Sequence, residues 1–398
     1  MEWRRRKFLE TLAVTTAGLA GGVDVMNKNW PWPKDIDATN IPRWRGFNLL
    51  EKFILSIGNE PFREKDFELI ARLGFDFVRL PMSYWCWSDP HNWKLLREKP
   101  LKEIDEAVNW GKQYGVHVNL NFHRGPGYTV DRSAPEPFNL WLDEEAQQAF
   151  DFHWRHFAER YKGISNRQVS FNLLNEPATL TSARLAPIPP DLHDKVIRRT
   201  VQVIRDVDPQ RLIFLDGLWW GREPIPSLTD LGVVQSTRGY EPIQITHYQA
   251  SWVDGAKDWP AVDWPMGVPV PTTELRWATS DMNNHYLANL KKWGLNSTTP
   301  WDVLRIKKQM IGPWKALEKK GVKVHVGEFG AFNQTPHTTV LRWLGDLMNQ
   351  WKKADWGWAM WNFRGAFGIL DSGRKDVNYE NFHGHQLDRK MLELIQRY

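Results

Sequence analysis

The segment LKEIDEAVNWGKQYGVHVNLNF, residues 101–122, contains the structural unit from which the fold can be inferred. Its first part, Leu101–Tyr114, spaces apolar residues three and four apart, which predicts an amphipathic helix. Gly115 is expected to end that helix, because glycine readily takes the left-handed backbone conformation found at helix carboxyl ends. Val116–Phe122 follows at once and has the valine and aromatic residues typical of a strand. The segment therefore predicts a helix that returns through a short loop to a strand.

The same order of helix, glycine and strand recurs along the chain, with Gly74 and Gly321 in the position of Gly115. The eight predicted strands are Trp44–Leu50, Phe75–Leu80, Val116–Phe122, Val169–Leu174, Leu212–Asp216, Ile243–Thr246, Lys323–Gly327 and Gly357–Trp361. The seven predicted helices are Glu64–Leu73, Leu101–Tyr114, Glu144–Tyr161, Asp191–Asp206, Trp301–Lys320, Thr338–Lys353 and Gln386–Tyr398. Regular alternation of strands and helices predicts parallel strands joined by helical crossovers.

Eight such strands favour an α/β fold of the (β/α)8 TIM-barrel type in a single domain. A doubly wound sheet is the alternative, but its Gly-x-Gly-x-x-Gly loop is missing after the first strand, where Leu50–Phe53 stands. The long insertion Gln249–Pro300 follows the predicted sixth strand, so it is expected to overhang the carboxyl-terminal face of the barrel. We expect a signal segment over residues 1–22, a connector over 23–40 and a catalytic domain over 41–398.

The composition of the 398 residues excludes several classes of protein. A single cysteine, Cys86, excludes an intrachain disulfide framework. The net charge of +5 is small and dispersed, so a nucleic-acid partner is not expected. His383 and His385 have a ligand-like spacing without a third ligand, and neither a metal nor another cofactor is expected. The 24 tryptophans exceed what a core requires and suggest a planar, amphipathic ligand such as a sugar ring.

The amino terminus resembles an export signal. Arg5-Arg6-Lys7-Phe8-Leu9 is similar to the twin-arginine signal, and the weakly apolar run Thr11–Ala20 after it is too short to span a bilayer. We expect export machinery to deliver a folded monomer to a periplasmic or extracellular location, which suits a chain with one cysteine. A disordered basic tail and an uncleaved anchor are the alternatives.

In a barrel of this kind the catalytic residues lie at the carboxyl ends of the strands. Two of the predicted strand ends carry glutamates, Glu176 within Asn175-Glu176-Pro177 and Glu328 within Val326–Gly330. The other informative strand-end residues are Arg79, His123, His247, Tyr248 and Trp361. Two carboxyl groups that face each other can cleave a glycosidic bond, since one protonates the departing oxygen while the other attacks the anomeric carbon or activates water.

Phe171–Pro177 together with Val326–Gly330 resembles glycoside hydrolase family 5, the cellulase-like retaining β-glycosidases with a (β/α)8 barrel. The resemblance extends roughly from Arg45 to the carboxyl terminus. It implies double displacement on a β-linked polysaccharide or oligosaccharide, with Glu176 as the general acid/base and Glu328 as the nucleophile.

The same resemblance implies roles for the neighbouring residues. Asn175 would bind the substrate 2-hydroxyl, while Arg79 and Tyr248 would orient the nucleophile. His123 and His247 would line subsite −1, and Trp361 would form its stacking floor. Single histidines at strand ends are also compatible with buried structural roles.

Further tryptophans are candidate sugar platforms because they follow predicted strands. These are Trp85 and Trp87 after the second strand, and Trp219 and Trp220 after the fifth. Trp252, Trp259 and Trp264 in the insertion are weaker candidates, since a long loop also needs its own apolar cluster. A non-catalytic carbohydrate-binding barrel, a transglycosylase and an enzyme active on mannan or another glycan remain alternatives, and endo and exo action are both open.

Overall fold

The computed structural model describes residues 36–131, 134–180, 186–267 and 279–398. The predicted signal segment and most of the predicted connector lie outside these residues, as does Trp277 of the insertion. Across the described residues, parallel strands close into an eight-stranded barrel surrounded by helices, which confirms the predicted (β/α)8 fold.

The barrel strands are β1 (Arg45–Asn48), β2 (Phe77–Ser83), β3 (His117–Gly125), β4 (Val169–Asn172), β5 (Ile213–Asp216), β6 (Val234–Gly239), β7 (Val324–Phe329) and β8 (Gly357–Met360). Each strand pairs with its neighbours in chain order, and β8 closes the barrel against β1 with Gly46 opposite Ala359. The residues of β2 and β3 are buried throughout, as expected where helices cover the outside of a parallel barrel.

The longer helices that the structure describes are α1 (Glu64–Arg72), α2 (Glu98–Tyr114), α3 (Glu144–Arg160), α4 (Pro190–Val207), α5 (Ser280–Lys292), α6 (Gly312–Glu318), α7 (His337–Ala354) and α8 (Arg389–Gln396). A short helix Val303–Arg305 and a π-helical turn Ile306–Ile311 lead directly into α6. Gly74, Gly115 and Gly321 have φ angles of 83°, 71° and 87°, which confirms their predicted place at helix ends. No helix within the described ranges is long and apolar enough to cross a bilayer.

The predicted sixth strand was wrong. Ile243–Thr246 is one turn of helix after Pro242, and β6 is the preceding segment Val234–Gly239. Most residues of β6 are polar, yet all of them are buried because their side chains find partners inside the protein. The Gln235 amide, for example, exchanges two 2.8 Å hydrogen bonds with the backbone of Ile225. A strand whose buried polar side chains are hydrogen-bonded in this way lacks the apolar pattern on which the prediction depended.

Most of the tryptophan surplus packs the interior. Among the described residues, the fully buried tryptophans are Trp44, Trp87, Trp141, Trp154, Trp264, Trp301, Trp314, Trp343, Trp351, Trp356 and Trp358. At one end of the barrel Trp44 stacks on His117, with ring centroids 3.8 Å apart, while Ile36 and Ala38 pack in the same apolar cluster. The polar strand ends are gathered at the opposite, carboxyl-terminal end.

Candidate active site

Glu328 lies near the carboxyl end of β7 with its side chain only 5% exposed. Arg79 Nη1 donates a 2.6 Å hydrogen bond to Glu328 Oε1, and the Tyr240 hydroxyl donates a 3.1 Å bond to Oε2. Asn48 Oδ1 accepts a further bond from Arg79 Nη1 at 3.1 Å, which fixes the guanidinium. Both carboxylate oxygens therefore have a hydrogen-bond donor, and the carboxyl group is held from two sides.

Glu176 follows β4 in a left-handed backbone conformation with a φ of 48°. Its N–H donates to Asp216 Oδ2 at 3.0 Å, and its carbonyl accepts a 2.8 Å bond from the Tyr128 hydroxyl. Such a conformation costs a residue other than glycine about 1–3 kcal/mol and persists only where the surroundings hold it. Two neighbouring parts of the barrel thus fix the backbone from which the Glu176 side chain projects.

The two glutamates meet at the guanidinium of Arg238, which lies on β6 and is buried. Its Nε donates to Glu176 Oε1 at 2.9 Å, and its Nη2 lies 3.3 Å from Glu328 Oε1. The same Nη2 donates to Asp216 Oδ2 and, at 3.0 Å, to Asn175 Oδ1. One cation consequently joins carboxyl groups from β4, β5 and β7 and brings the predicted pair of glutamates together.

The environments of the two glutamates differ in their electrostatics. Burial, the negative charge of Glu328 and that of Asp216 raise the pKa of Glu176 from 4.5 to about 7, against the opposing charge of Arg238. Near neutral pH Glu176 therefore retains a proton in part of the population, while Glu328 is bound by Arg79 and Tyr240. Two carboxyl groups whose environments differ in this way are suited to different chemical roles.

Asn175 is placed between the two arginines. Its Oδ1 accepts from Arg79 Nη2 at 2.9 Å and from Arg238 Nη2 at 3.0 Å. Its buried Nδ2 has no hydrogen-bond partner among the described residues. The orientation of the amide is thus fixed by its oxygen, which leaves the nitrogen able to donate to a bound molecule.

Trp361 follows β8 and is half-buried beside His123. The two rings are nearly parallel, at 24° and a centroid distance of 5.6 Å, and Phe53 meets the Trp361 ring edge-on at 5.6 Å. Burial and the positive charges of Arg79 and Arg238 hold the pKa of His123 well below its usual value. His123 is consequently neutral and adds no charge to the cluster.

Two residues predicted at the sixth strand end are placed differently by the structure. Tyr248 lies in the loop after β6, where its hydroxyl accepts a 3.1 Å bond from the Gln249 amide, so it does not orient Glu328. Tyr240 occupies that place. His247, which was expected to line subsite −1, packs against the Tyr240 ring with ring centroids 5.4 Å apart. The error over Tyr248 follows from the misplaced strand, and Arg238 and Tyr240, two residues apart at the true strand end, were missed with it.

The candidate platforms divide into exposed and buried rings. Trp87 is fully buried against Phe122 and Phe157, so its predicted role as a sugar platform was wrong. Trp85 is half-buried, and the Arg124 guanidinium lies 4.0 Å from its ring centroid. In the insertion Trp259 and Trp264 are buried, whereas Trp252 is 56% exposed.

Trp219 and Trp220 line a cleft beside Arg238. Their rings are stacked with centroids 5.2 Å apart, and Trp219 packs against Ala178, two residues after Glu176. Helix α5 contributes to the wall of this cleft. The cleft therefore adjoins the cluster on the side of Glu176.

The chain is similar to known proteins over most of its length. Residues 35–250 match the family model described as cellulase, glycosyl hydrolase family 5. A crystal structure of a glycoside hydrolase is 36% identical and covers 89% of this chain and 99% of its own, with a TM-score of 0.77. The chain belongs to glycosyl hydrolase family 5. It is a glycoside hydrolase, a β-glycosidase of the cellulase type.

Other relatives of this family 5 enzyme include endoglucanase C of Acetivibrio thermocellus, which is 28% identical over 80% of this chain and 88% of the relative. Cellodextrinase A of Ruminococcus flavefaciens is 25% identical over 71% of this chain and 72% of the relative. An endoglucanase structure from Thermotoga maritima is 21% identical, covers 88% of this chain and 96% of its own, and has a TM-score of 0.61. The last of these shares the barrel fold.

Proposed function

We propose that this family 5 enzyme hydrolyses a β-linked glucan or its oligosaccharides by double displacement, with Glu176 as general acid/base and Glu328 as nucleophile. The observation that carries the proposal is the bridge formed by Arg238, which joins the carboxyl groups of Glu176 and Glu328 through one guanidinium. Two carboxyl groups that share one guanidinium favour the retaining mechanism over the inverting one, which needs space for a water molecule between them.

In the first step Glu328 attacks the anomeric carbon and forms a covalent glycosyl ester, while Glu176 gives its proton to the departing oxygen. In the second step Glu176 accepts a proton from water, and the resulting oxygen nucleophile displaces Glu328 from the anomeric carbon. The sugar leaves with its original anomeric configuration, and both carboxyl groups return to their first state.

The electrostatics support both roles of Glu176. Its pKa of about 7 in the free enzyme allows it to donate a proton near neutral pH. Formation of the ester removes the negative charge of Glu328, which is one cause of the raised pKa. The pKa of Glu176 therefore falls after the first step, and the same group becomes the base that the second step needs.

The side chains around the glutamates suggest how the sugar ring lies. Trp361 presents a half-buried ring beside neutral His123, which suits it to be the floor of subsite −1. Asn175 Nδ2, which has no partner among the described residues, is suited to donate a hydrogen bond to the substrate 2-hydroxyl, as the family resemblance implies. Arg79 and Tyr240 hold Glu328 from its two oxygens.

The departing part of the substrate belongs on the side of Glu176, since this residue protonates the departing oxygen. We assign it to the cleft lined by Trp219 and Trp220, whose stacked rings offer an apolar wall to a sugar. Trp85, half-buried after β2, is proposed as a further contact for the retained part of the chain. The names of the relatives, endoglucanase and cellodextrinase, support a glucan as the substrate.

A substrate panel tests the proposal. Purified enzyme is incubated with soluble β-glucan, cello-oligosaccharides, mannan and xylan, and the products are separated by chromatography. Release of glucose oligomers that depends on both Glu176 and Glu328 is expected, and larger oligomers at high substrate would indicate glycosyl transfer to sugar. Products from mannan or xylan alone would contradict the assigned substrate, and products unaffected by either Glu→Gln change would contradict the mechanism.

We also propose that residues 1–22 direct export, residues 23–40 connect, and residues 41–398 act as a monomeric catalytic domain. Arg5-Arg6 is the feature that supports export by a twin-arginine pathway. Replacement of both arginines by lysine should leave the enzyme inside bacterial cells, whereas unchanged export would contradict the assignment. Gel filtration of the exported protein tests the monomer.

A further inference from the structure

Arg238 contacts both candidate catalytic glutamates and two of the polar residues beside them. Its Nε binds Glu176, and its Nη2 contacts Glu328, Asn175 and Asp216. The side chain is 1% exposed, so these bonds are not screened by bulk water.

Space for this side chain is provided by glycine on two sides. A Cβ at Gly327 would lie 2.7 Å from Arg238 Nη1, and one at Gly221 would lie 2.6 Å from its Cγ. Either distance is shorter than an ordinary van der Waals contact. The backbone around Arg238 is therefore shaped to hold the guanidinium at this point.

The charges that face Glu176 come from several strands. They are Arg79 on β2, Asp216 on β5, Arg238 on β6 and Glu328 on β7, while Tyr128 and Tyr240 contribute hydroxyl groups. Arg238 is the only one of the two cations that binds the Glu176 carboxyl group in the described structure.

The charges of this cluster cancel in both halves of the proposed reaction. When Glu176 carries its proton, the two arginines face two anions, Asp216 and Glu328. After the first step Glu328 is a neutral ester and Glu176 is ionised, so the two arginines again face two anions. A buried site that keeps the same net charge avoids the desolvation cost of an unpaired ion.

We propose that Arg238 is a positioning residue that holds Glu176 toward the substrate and supplies its counter-ion in the second step. This inference rests on the proposed roles of Glu176 and Glu328. It predicts that loss of the Arg238 charge slows the second step more than the first, because only the second step begins with Glu176 ionised. The glycosyl ester then accumulates during turnover.

An aryl β-cellobioside with an activated leaving group separates the two steps, since its departure needs little help from an acid. Wild type, Arg238→Gln, Arg238→Lys and the surface control Arg198→Gln are mixed rapidly with this substrate. For Arg238→Gln we expect a burst of phenol equal to the enzyme concentration. The steady rate that follows should be lower than that of wild type by about tenfold or more, since a change of one pKa unit corresponds to a factor of ten. Arg238→Lys should restore part of the steady rate, and Arg198→Gln should match wild type.

The pH dependence of kcat/KM provides a readout that a purely structural role would not change. Loss of the Glu176 proton sets its alkaline limb, so Arg238→Gln should move that limb to higher pH. Asp216→Asn removes a negative charge beside Glu176 and should move the limb to lower pH. Shifts of opposite sign cannot arise from general damage to the fold, and Asp216→Asn retains a test if Arg238→Gln does not fold.

Equal loss of kcat and kcat/KM in Arg238→Gln, with no burst and no movement of the alkaline limb, would overturn the inference. Glu328→Gln is measured in the same series to keep the two proposals apart. If Glu328→Gln keeps its activity, the proposed function fails. If it is inactive while Arg238→Gln shows neither signature, only the role of Arg238 fails.

Discussion

Tyr240→Phe removes a single hydroxyl group from the candidate site. That hydroxyl donates a 3.1 Å hydrogen bond to Glu328 Oε2, and the tyrosine ring stays in place through its contact with His247. Hydrogen bonds to charged groups contribute about 1.5–3 kcal/mol. Since about 1.36 kcal/mol corresponds to a factor of ten in rate, we expect kcat/KM to fall about ten- to a hundredfold.

Tyr248→Phe is the matched control, because it removes the same group from a residue that is bonded to Gln249 instead. Initial rates on an aryl β-cellobioside give kcat and KM, and circular dichroism checks that both variants fold. We expect the control to keep kcat/KM within about threefold of wild type, the range of a surface substitution of up to about 0.5 kcal/mol. A larger loss in Tyr248→Phe than in Tyr240→Phe would refute the placement of Tyr240 on the nucleophile.

The remaining predictions concern the two glutamates. Glu328→Gln should abolish hydrolysis in a folded protein, and full activity in this variant would exclude Glu328 as nucleophile. Glu176→Ala should regain part of its activity on an activated aryl glycoside when azide or formate is added, whereas rates indifferent to both anions would argue against its role. In wild type kcat/KM should fall as pH rises through about 7, because Glu176 then loses its proton. The same raised pKa means that the native protein holds a proton released on unfolding, so stability should fall as pH rises from 4.5 to about 7. Glu176→Gln has no such proton to lose, so its Tm relative to that of wild type should be higher above pH 7 than below pH 4.5. A Tm difference between the two proteins that does not change with pH would contradict the raised pKa of Glu176.

Seven of the barrel strands were predictable because each appears in the sequence as a run of mainly apolar residues. Val116–Phe122 lies between a helix-ending glycine and a polar strand end, and the structure places β3 over His117–Gly125. Such strands are covered by helices on the outside, so their apolar residues appear in the sequence as a run.

β6 was not predictable in this way. Val234–Gly239 contains glutamine, serine, threonine and arginine, and every one of these side chains is buried. Hydropathy measures the side chain by itself, whereas the burial of Gln235 or Arg238 depends on partners that the fold brings from other strands. The error then carried over to the site, where Tyr248 was assigned the position that Tyr240 occupies.

The tryptophans illustrate a second limit. Trp85 and Trp87 are two residues apart in one short turn, yet the first is half-buried and the second is fully buried. Their environments depend on how that turn packs against β3 and α3, through Phe122 and Phe157. Local sequence contains no measure of that packing, so a ring available to sugar and a ring in the core look alike.

Trapping the covalent intermediate tests the double-displacement mechanism most directly. The enzyme is incubated with an activated 2-deoxy-2-fluoro-β-cellobioside, which slows the second step, and the labelled peptide is sequenced by mass spectrometry. Double displacement predicts one fluorosugar per protein, attached to Glu328 and absent from Glu328→Gln. A label on another residue, or an unlabelled enzyme that releases product with inverted anomeric configuration, would contradict the double-displacement mechanism.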